Sequence, residues 1–263
     1  MFPGTSFFYY YLLNIDLILS KHNGMAKVAL ITGCAARIGR ELAIHLAAAG
    51  WELALHFNSS ANEILALEGE LKSRFPNLRF QPFQANLESL DQASQLIRGV
   101  IAYFGSLELL INNASIFEPS NLRGTTTDLM VRHHTINYLA PFILIRDFAI
   151  SSNSGLIINI LDTRITNNKS DFLAYSLSKK SLGDLTKMAA AELAPHFRVN
   201  AIAPGAVLPP NGKDQSYLEQ IALSTPMQVP SGMSSILKSL DYIIDNQDFT
   251  GQLIYCDGGG HLR

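Results

Sequence analysis

Short apolar runs at 27–31, 52–57, 78–84, 107–111, 155–161, 198–203 and 252–256 alternate with longer amphipathic segments at 39–49, 61–74, 88–104, 126–150, 172–194 and 232–246. Runs that stay apolar rather than alternating strictly suit strands buried on both faces, and the helical segments between them are long enough for parallel crossovers. The pattern predicts one α/β domain over 25–263, doubly wound, with a seven-stranded parallel sheet and helices on both faces. The stretch 204–231 carries Pro204, Pro209, Pro210, Pro226 and Pro230 and is read as a long irregular loop. Loops of that length in a compact domain are usually lids or binding segments.

Residues 1–24 do not continue the pattern. Their aromatic and aliphatic run is interrupted by Asp16 and followed by Met25. It lacks the basic n-region and small-residue cleavage site of a signal peptide, and it is short for a bilayer span. The preferred reading is an extension upstream of a start at Met25, with a membrane anchor as the alternative.

Hydrophobic residues make up 48% of the chain and charged residues 16%, enough to cover both faces of a sheet and too apolar for a disordered chain. A formal net charge of −2 without a Lys/Arg run removes the electrostatic footprint of a nucleic-acid binder and points to small-molecule partners. Two distant cysteines, Cys34 and Cys256, make a disulfide framework or zinc site a poor reading. Adjacent His133 and His134 lack the spacing of two ligands on one helix face and are read as surface or satisfied core residues; no metal is expected.

Chemistry enters directly after the first apolar run. Thr32-Gly33-Cys34-Ala35-Ala36-Arg37-Ile38-Gly39 leads into a helical segment, the arrangement in which glycines let backbone approach a pyrophosphate at a helix N-terminus. The second run ends His56-Phe57-Asn58-Ser59-Ser60, without the acid that would bond an adenosine ribose and repel a 2′-phosphate. Farther along, Tyr175-Ser176-Leu177-Ser178-Lys179 opens a helical segment and sets a phenol and an ammonium one turn apart on the same face. An ammonium there would stabilise the phenolate and lower the phenol from its reference pKa of about 10 toward a working range.

Together these segments resemble the short-chain dehydrogenase/reductase family, whose fingerprint is TGxxxGxG and whose active-site pair is YxxxK, over essentially all of 26–263. The resemblance implies a Rossmann-type oxidoreductase with a nicotinamide cofactor held by Gly33, Arg37, Ile38, Gly39, Asn58, Ser59, Ser60, Asn86, Leu87, Asn113, Ala114, Ser115, Tyr175, Lys179, Pro204 and Gly205. Asn112-Asn113-Ala114-Ser115 matches the family's NNAG motif, Asn86 stands where an Asp usually bonds the adenine, and Asn137 matches an Asn that supports a proton-relay water. NADP(H) is favoured over NAD(H) because no acid follows the second strand.

Two departures from the family norm point the same way. Arg37 replaces the middle Gly of the fingerprint, and Asp162, thirteen residues before Tyr175, stands where the family has a catalytic Ser. Both are features of the pteridine reductase and dihydromonapterin reductase-like branch, as is an aromatic ring at Phe117 and an Asp257-Gly258-Gly259 ending. The resemblance implies catalysis by Asp162, Tyr175, Lys179 and Asn137, and pterin binding by Arg37, Ser115, Phe117, Asp162 and Tyr175. It also implies a place in tetrahydrofolate metabolism, a cytoplasmic location and a homotetramer. Alternatives stay open: Arg37 as a solvated loop charge, Phe117 as a core residue, a 3-oxoacyl-thioester reductase, or a silent NADP(H)-binding regulator.

Overall fold

The strands of the sheet are short and are joined by helical crossovers that together cover both of its faces. In the computed structural model, which describes residues 27–209, 212 and 214–263, the order is β1 (Val28–Ile31), α1 (Arg37–Ala48), β2 (Glu52–Phe57), α2 (Ala61–Arg74), β3 (Phe80–Gln84) and α3 (Leu90–Phe104). There follow β4 (Leu109–Asn112), α4 (Thr127–His134), a π-helical turn (Thr135–Leu139), α5 (Ala140–Ser151) and β5 (Gly155–Ile160). After a 3₁₀ turn (Thr163–Thr166) come α6 (Leu173–Leu193), β6 (Phe197–Pro204), α7 (Gln215–Ala222), α8 (Met233–Asp245), β7 (Leu253–Cys256) and a last 3₁₀ turn (Gly260–Leu262). The expected extension at 1–24 and Met25 lie outside the described residues.

All seven strands pair in parallel in the order β3-β2-β1-β4-β5-β6-β7, so the winding reverses between β1 and β4. Such a sheet opens a crevice beyond the carboxyl ends of the strands at the reversal. One face is packed by α1, α2 and α8 through Leu42, Leu46, Ile64, Leu67, Ile236 and Leu240, and the other by α3, α5 and α6 through Ile97, Val100, Leu144, Phe148 and Ala189. The doubly wound architecture read from the apolar pattern is the one observed.

The structure corrects two details. The helix expected over 126–150 is continuous from Thr127 to Ser151 but is not α-helical throughout, and Pro141 has no N–H to offer four residues back. The ladder passes through a π turn in which Ala140 donates to the carbonyl of Thr135 instead. The loop expected over 204–231 contains α7, started by Asp214, whose carboxylate accepts from the Ser216 N–H; the prolines of that stretch flank the helix rather than enter it.

Behind the crevice, β4, β5 and α6 are tied by a buried polar chain. Asn112 Nδ2 donates to Asn159 Oδ1 at 2.8 Å, and Asn159 Nδ2 donates to Thr186 Oγ1 at 2.9 Å. Asn159→Ala would strand the Asn112 amide and open a cavity, so we expect a loss of about 2–4 kcal/mol in urea unfolding of the cofactor-free protein. A loss below about 1 kcal/mol would show that the chain relaxes around the gap.

Candidate active site

The chemistry gathers where β1, β4 and β5 end. Thr32 prolongs β1 by one backbone bond, to Ile111, and its hydroxyl accepts from the N–H groups of Asn113 and Ala114 at 2.9 and 3.0 Å. Asn113 Nδ2 in turn donates to the carbonyls of Thr32 and Gly33. The turn is so close to its neighbours that a Cβ on Gly39 would lie 2.3 Å from the Gly33 carbonyl oxygen, and one on Gly33 2.9 Å from the Ala114 Cα. Only bare backbone fits at both places.

That cradle suits a dinucleotide. Ala36, the N-cap of α1, supplies no side-chain acceptor, so the first-turn N–H groups face the crevice without a capping oxygen, the condition that favours a phosphate. Asn58, Ser59 and Ser60 close the far end at the start of α2, and Ser60 likewise makes no side-chain cap bond. Arg37 is the first residue of α1 and has φ +54°, the left-handed conformation in which the family's Gly would be unstrained. Its guanidinium crosses the crevice to the carbonyls of Leu208 and Pro209 at 3.3 and 3.2 Å, so it is a strap rather than a freely solvated charge.

Of the residues expected to bind or react, all but Asn137 line one continuous cleft of about 1260 Å³: the phosphate loop, Asn58–Ser60, Asn86 and Leu87, Asn113–Ser115, Phe117, Asp162, Tyr175, Lys179, Pro204 and Gly205. Asn137 lies behind it. Its Oδ1 accepts from the Ser115 hydroxyl and the Ile116 N–H, and its Nδ2 donates to the Ile116 carbonyl and Ser178 Oγ. Both donor and both acceptor positions of the amide are filled, so the side chain is not available to a relay water. It holds the segment carrying Ser115 and Phe117 against α6.

Tyr175 enters from the first turn of α6 and donates its phenolic O–H to Asp162 Oδ2 at 2.9 Å, while Asp162 Oδ1 accepts from the Arg164 N–H. Asp162 stands just beyond β5, where a side chain can cap the following 3₁₀ turn and still face the cleft. Burial pushes its carboxyl above the ordinary carboxylate range against the opposing pull of the Arg164 N–H, the Tyr175 hydroxyl, and the Arg164 and Lys179 charges. Tyr175 is also pushed up, first by burial and then by the adjacent carboxylate.

This corrects the expectation that Lys179 lowers the phenol. The Lys179 ammonium donates to the Ile160 carbonyl at 2.7 Å rather than to the phenol and lies 5.9 Å from the centre of the Tyr175 ring; burial lowers its own pKa to about 8. In this arrangement the phenol is held protonated.

Phe117 is half exposed, stacked on Phe172 with ring centres 4.1 Å apart and planes at 9°, and in a T-shaped contact with Tyr175 with ring centres 4.6 Å apart. Arg164 lies over Phe172 at 4.6 Å and binds Asp171 through two hydrogen bonds. This aromatic wall is built by zipping Ser120 to the segment before α6: its N–H donates to the Asp171 carbonyl and its hydroxyl accepts from Ala174. Phe172, Arg164 and Asp171 escaped the sequence reading because nothing in their spacing marks them; only the pairing of two distant loops does. His133, by contrast, is a buried helix residue with Nδ1 on the Leu129 carbonyl, but its buried Nε2 has no hydrogen-bond partner among the described residues, so it is a core residue only half satisfied.

Among the described residues no helix is long and apolar enough to cross a membrane. Similar proteins have the same architecture and length. The chain is 32% identical to a FolM alternative dihydrofolate reductase 1 from Brucella canis, solved with NADP, over 90% of this chain and 95% of that one, with a TM-score of 0.83. The Brucella suis protein of the same name, also solved with NADP, gives 32% and 0.82, over 90% of this chain and 96% of that one. The chain is also 27% identical to the 3-oxoacyl-[acyl-carrier-protein] reductase FabG of Staphylococcus epidermidis, over 90% of this chain and all of that protein. The short chain dehydrogenase profile matches residues 27–218, and with the cradle, the phenol and the sheet order this places the chain in the short chain dehydrogenase family of oxidoreductases.

Proposed function

We propose that the protein is an NADPH-dependent reductase of pterins or dihydropterins, of the dihydrobiopterin, dihydromonapterin or dihydrofolate class. The observation that carries this reading is the hydrogen bond between Asp162 and Tyr175 at the end of β5. A carboxyl whose pKa is raised can keep its proton and pass it to the phenol as the phenol gives its own to a basic ring nitrogen, which a Ser hydroxyl at that place does far less readily. The NADP in the two FolM structures supports the cofactor, and their name supports the substrate class.

NADPH supplies a hydride to the carbon of a ring C=N when bound. The chain's part is to deliver one proton to the neighbouring nitrogen, so that the ring gains two hydrogens in all. Tyr175 is the donor, loaded because burial holds its phenol protonated, and Asp162 orients and recharges it. Lys179, anchored on Ile160, faces the cleft where the nicotinamide ribose belongs. Phe117, braced by Phe172 and half exposed in the cleft, offers its ring as a wall for a flat heterocycle. Arg37 binds phosphate and the polar edge of the pterin with Ser115. Its left-handed backbone is a local cost of the kind found at functional sites.

Tyr175→Phe keeps the ring and removes the acidic proton. NADPH binding should survive while steady-state pterin reduction falls by about 10²–10⁴. Near-normal turnover on every pterin would assign the proton to solvent.

Asp162→Ser should depress dihydropterin turnover by about a hundredfold with little change in NADPH affinity. Because the acid form of Asp162 is the competent one and its pKa is raised, wild-type kcat/KM should fall as pH climbs through a limb above the ordinary carboxylate range, and that limb should vanish in the variant. Intact pterin turnover in Asp162→Ser, or a wild type active on an acetoacetyl thioester and on no pterin, would favour the FabG-like alternative.

A 2′-phosphate placed at Asn58, Ser59 and Ser60 meets no carboxylate of that segment, so catalytic efficiency should be higher with NADPH than with NADH. Equal efficiencies would show that these three side chains do not discriminate.

A further inference from the structure

His56 takes no part in the reaction chemistry, yet it is only 1% exposed and is the next-to-last residue of β2, at the adenosine end of the cleft. Its ring touches two other loops. The Gly33 N–H donates to Nδ1 at 3.0 Å, and Nε2 lies 3.0 Å from the carbonyl of Ala85, just before Asn86. Its own carbonyl accepts from the Cys34 N–H at 3.1 Å.

The donor from Gly33 fixes the tautomer. A backbone N–H can only give a hydrogen, so Nδ1 must present its lone pair, and the ring's one proton sits on Nε2, aimed at Ala85. Burial pulls the pKa of the imidazole down to about 4, which agrees with a neutral ring. The Gly33 peptide is thus gripped at both ends, its N–H by His56 and its carbonyl by Asn113. β1 has already ended its pairing with β2 at Ile31 and Leu55, so no backbone acceptor replaces the ring.

We infer that His56 is a positioning residue for NADP(H): its neutral ring sets the Gly33 peptide plane and joins the loops after β1, β2 and β3 into one preformed adenosine and pyrophosphate seat. Nothing in this depends on which substrate is reduced. A rigid seat lowers the ordering cost of binding, so its loss should show in cofactor affinity more than in folding.

Two isosteric variants separate the bonds. In His56→Asn the amide oxygen takes the place of Nδ1 and still accepts from Gly33, while the contact to Ala85 is lost. In His56→Gln the amide nitrogen reaches toward the place of Nε2 and keeps Ala85, while Gly33 is left without an acceptor. With its acceptor gone the Gly33 peptide turns out of its seat in the free protein to find water, and bringing it back when the cofactor binds carries an ordering cost of about 1.4 kcal/mol or more, roughly tenfold or more in affinity.

NADPH dissociation constants, by fluorescence titration of the substrate-free protein, should therefore rise at least about tenfold in His56→Gln and stay within about threefold in His56→Asn, although the two lose similar thermal stability. Equal affinity losses in both variants, or none in either, would overturn the inference. Should either variant fail to fold, the wild type decides: nitrogen-15 spectra of the ring must show a bare Nδ1 and a protonated Nε2, and a proton on Nδ1 would refute it.

Discussion

Seven strands that all run the same way end on one edge, and that single constraint places every reacting group. Parallel pairing forces each connection to cross the sheet, and the reversal between β1 and β4 leaves two neighbouring strand ends whose loops diverge. The glycine turn after β1 and the Asn113 segment after β4 flank that gap, and β5 brings Asp162 beside it. The buried chain through Asn112, Asn159 and Thr186 matters here because it fixes the relative height of β4, β5 and α6, and so the distance from Asp162 to Tyr175.

Burial then sets the protonation states that geometry alone leaves open. Asp162 and Tyr175 share one hydrogen bond in a poorly solvated corner, and both are pushed toward their neutral forms. Lys179 is pushed the same way, toward losing its charge, and the Ile160 carbonyl it binds is a dipole rather than a counter-ion. Where Asp162, Tyr175 and Lys179 meet, the neutral forms are favoured, while Asp171 and Asp257 on the same cleft are held as carboxylates by their own hydrogen-bond donors. A proton can therefore pass from a neutral donor between fixed charges with little solvent to reorganise.

The sheet was legible because apolar runs recur between segments of crossover length, and the cradle because Gly33 and Gly39 follow the first of them. Tyr175 and Lys179 were legible as a helical pair, but the identity of the group nearest the phenol was not. Residues four apart share a helix face, and only the path of β5 decides that Asp162 reaches the hydroxyl while the longer Lys179 turns to Ile160. The π turn before Pro141 had a signal only in the proline itself, since the pattern stays helical on both sides. α7 hid among prolines that bracket it without entering it. His56 and Phe172 left no local trace, since each acts through a partner more than twenty residues away in another loop.

Arg37 shows how a departure from a motif can preserve the motif's geometry. A glycine there would adopt φ +54° without strain; an arginine costs about 1–2 kcal/mol to hold in the left-handed region. Its two hydrogen bonds to Leu208 and Pro209 offset part of that cost, and they join the phosphate loop to the segment that leads into α7. The backbone therefore keeps the turn a dinucleotide needs, while the side chain adds a cation between the phosphate end and the substrate end. A solvated lysine or arginine elsewhere on the rim would attract anions equally well, but it would not be pinned across the cleft. The strain therefore falls on the one residue of the turn whose side chain ties the turn to the opposite wall of the cleft.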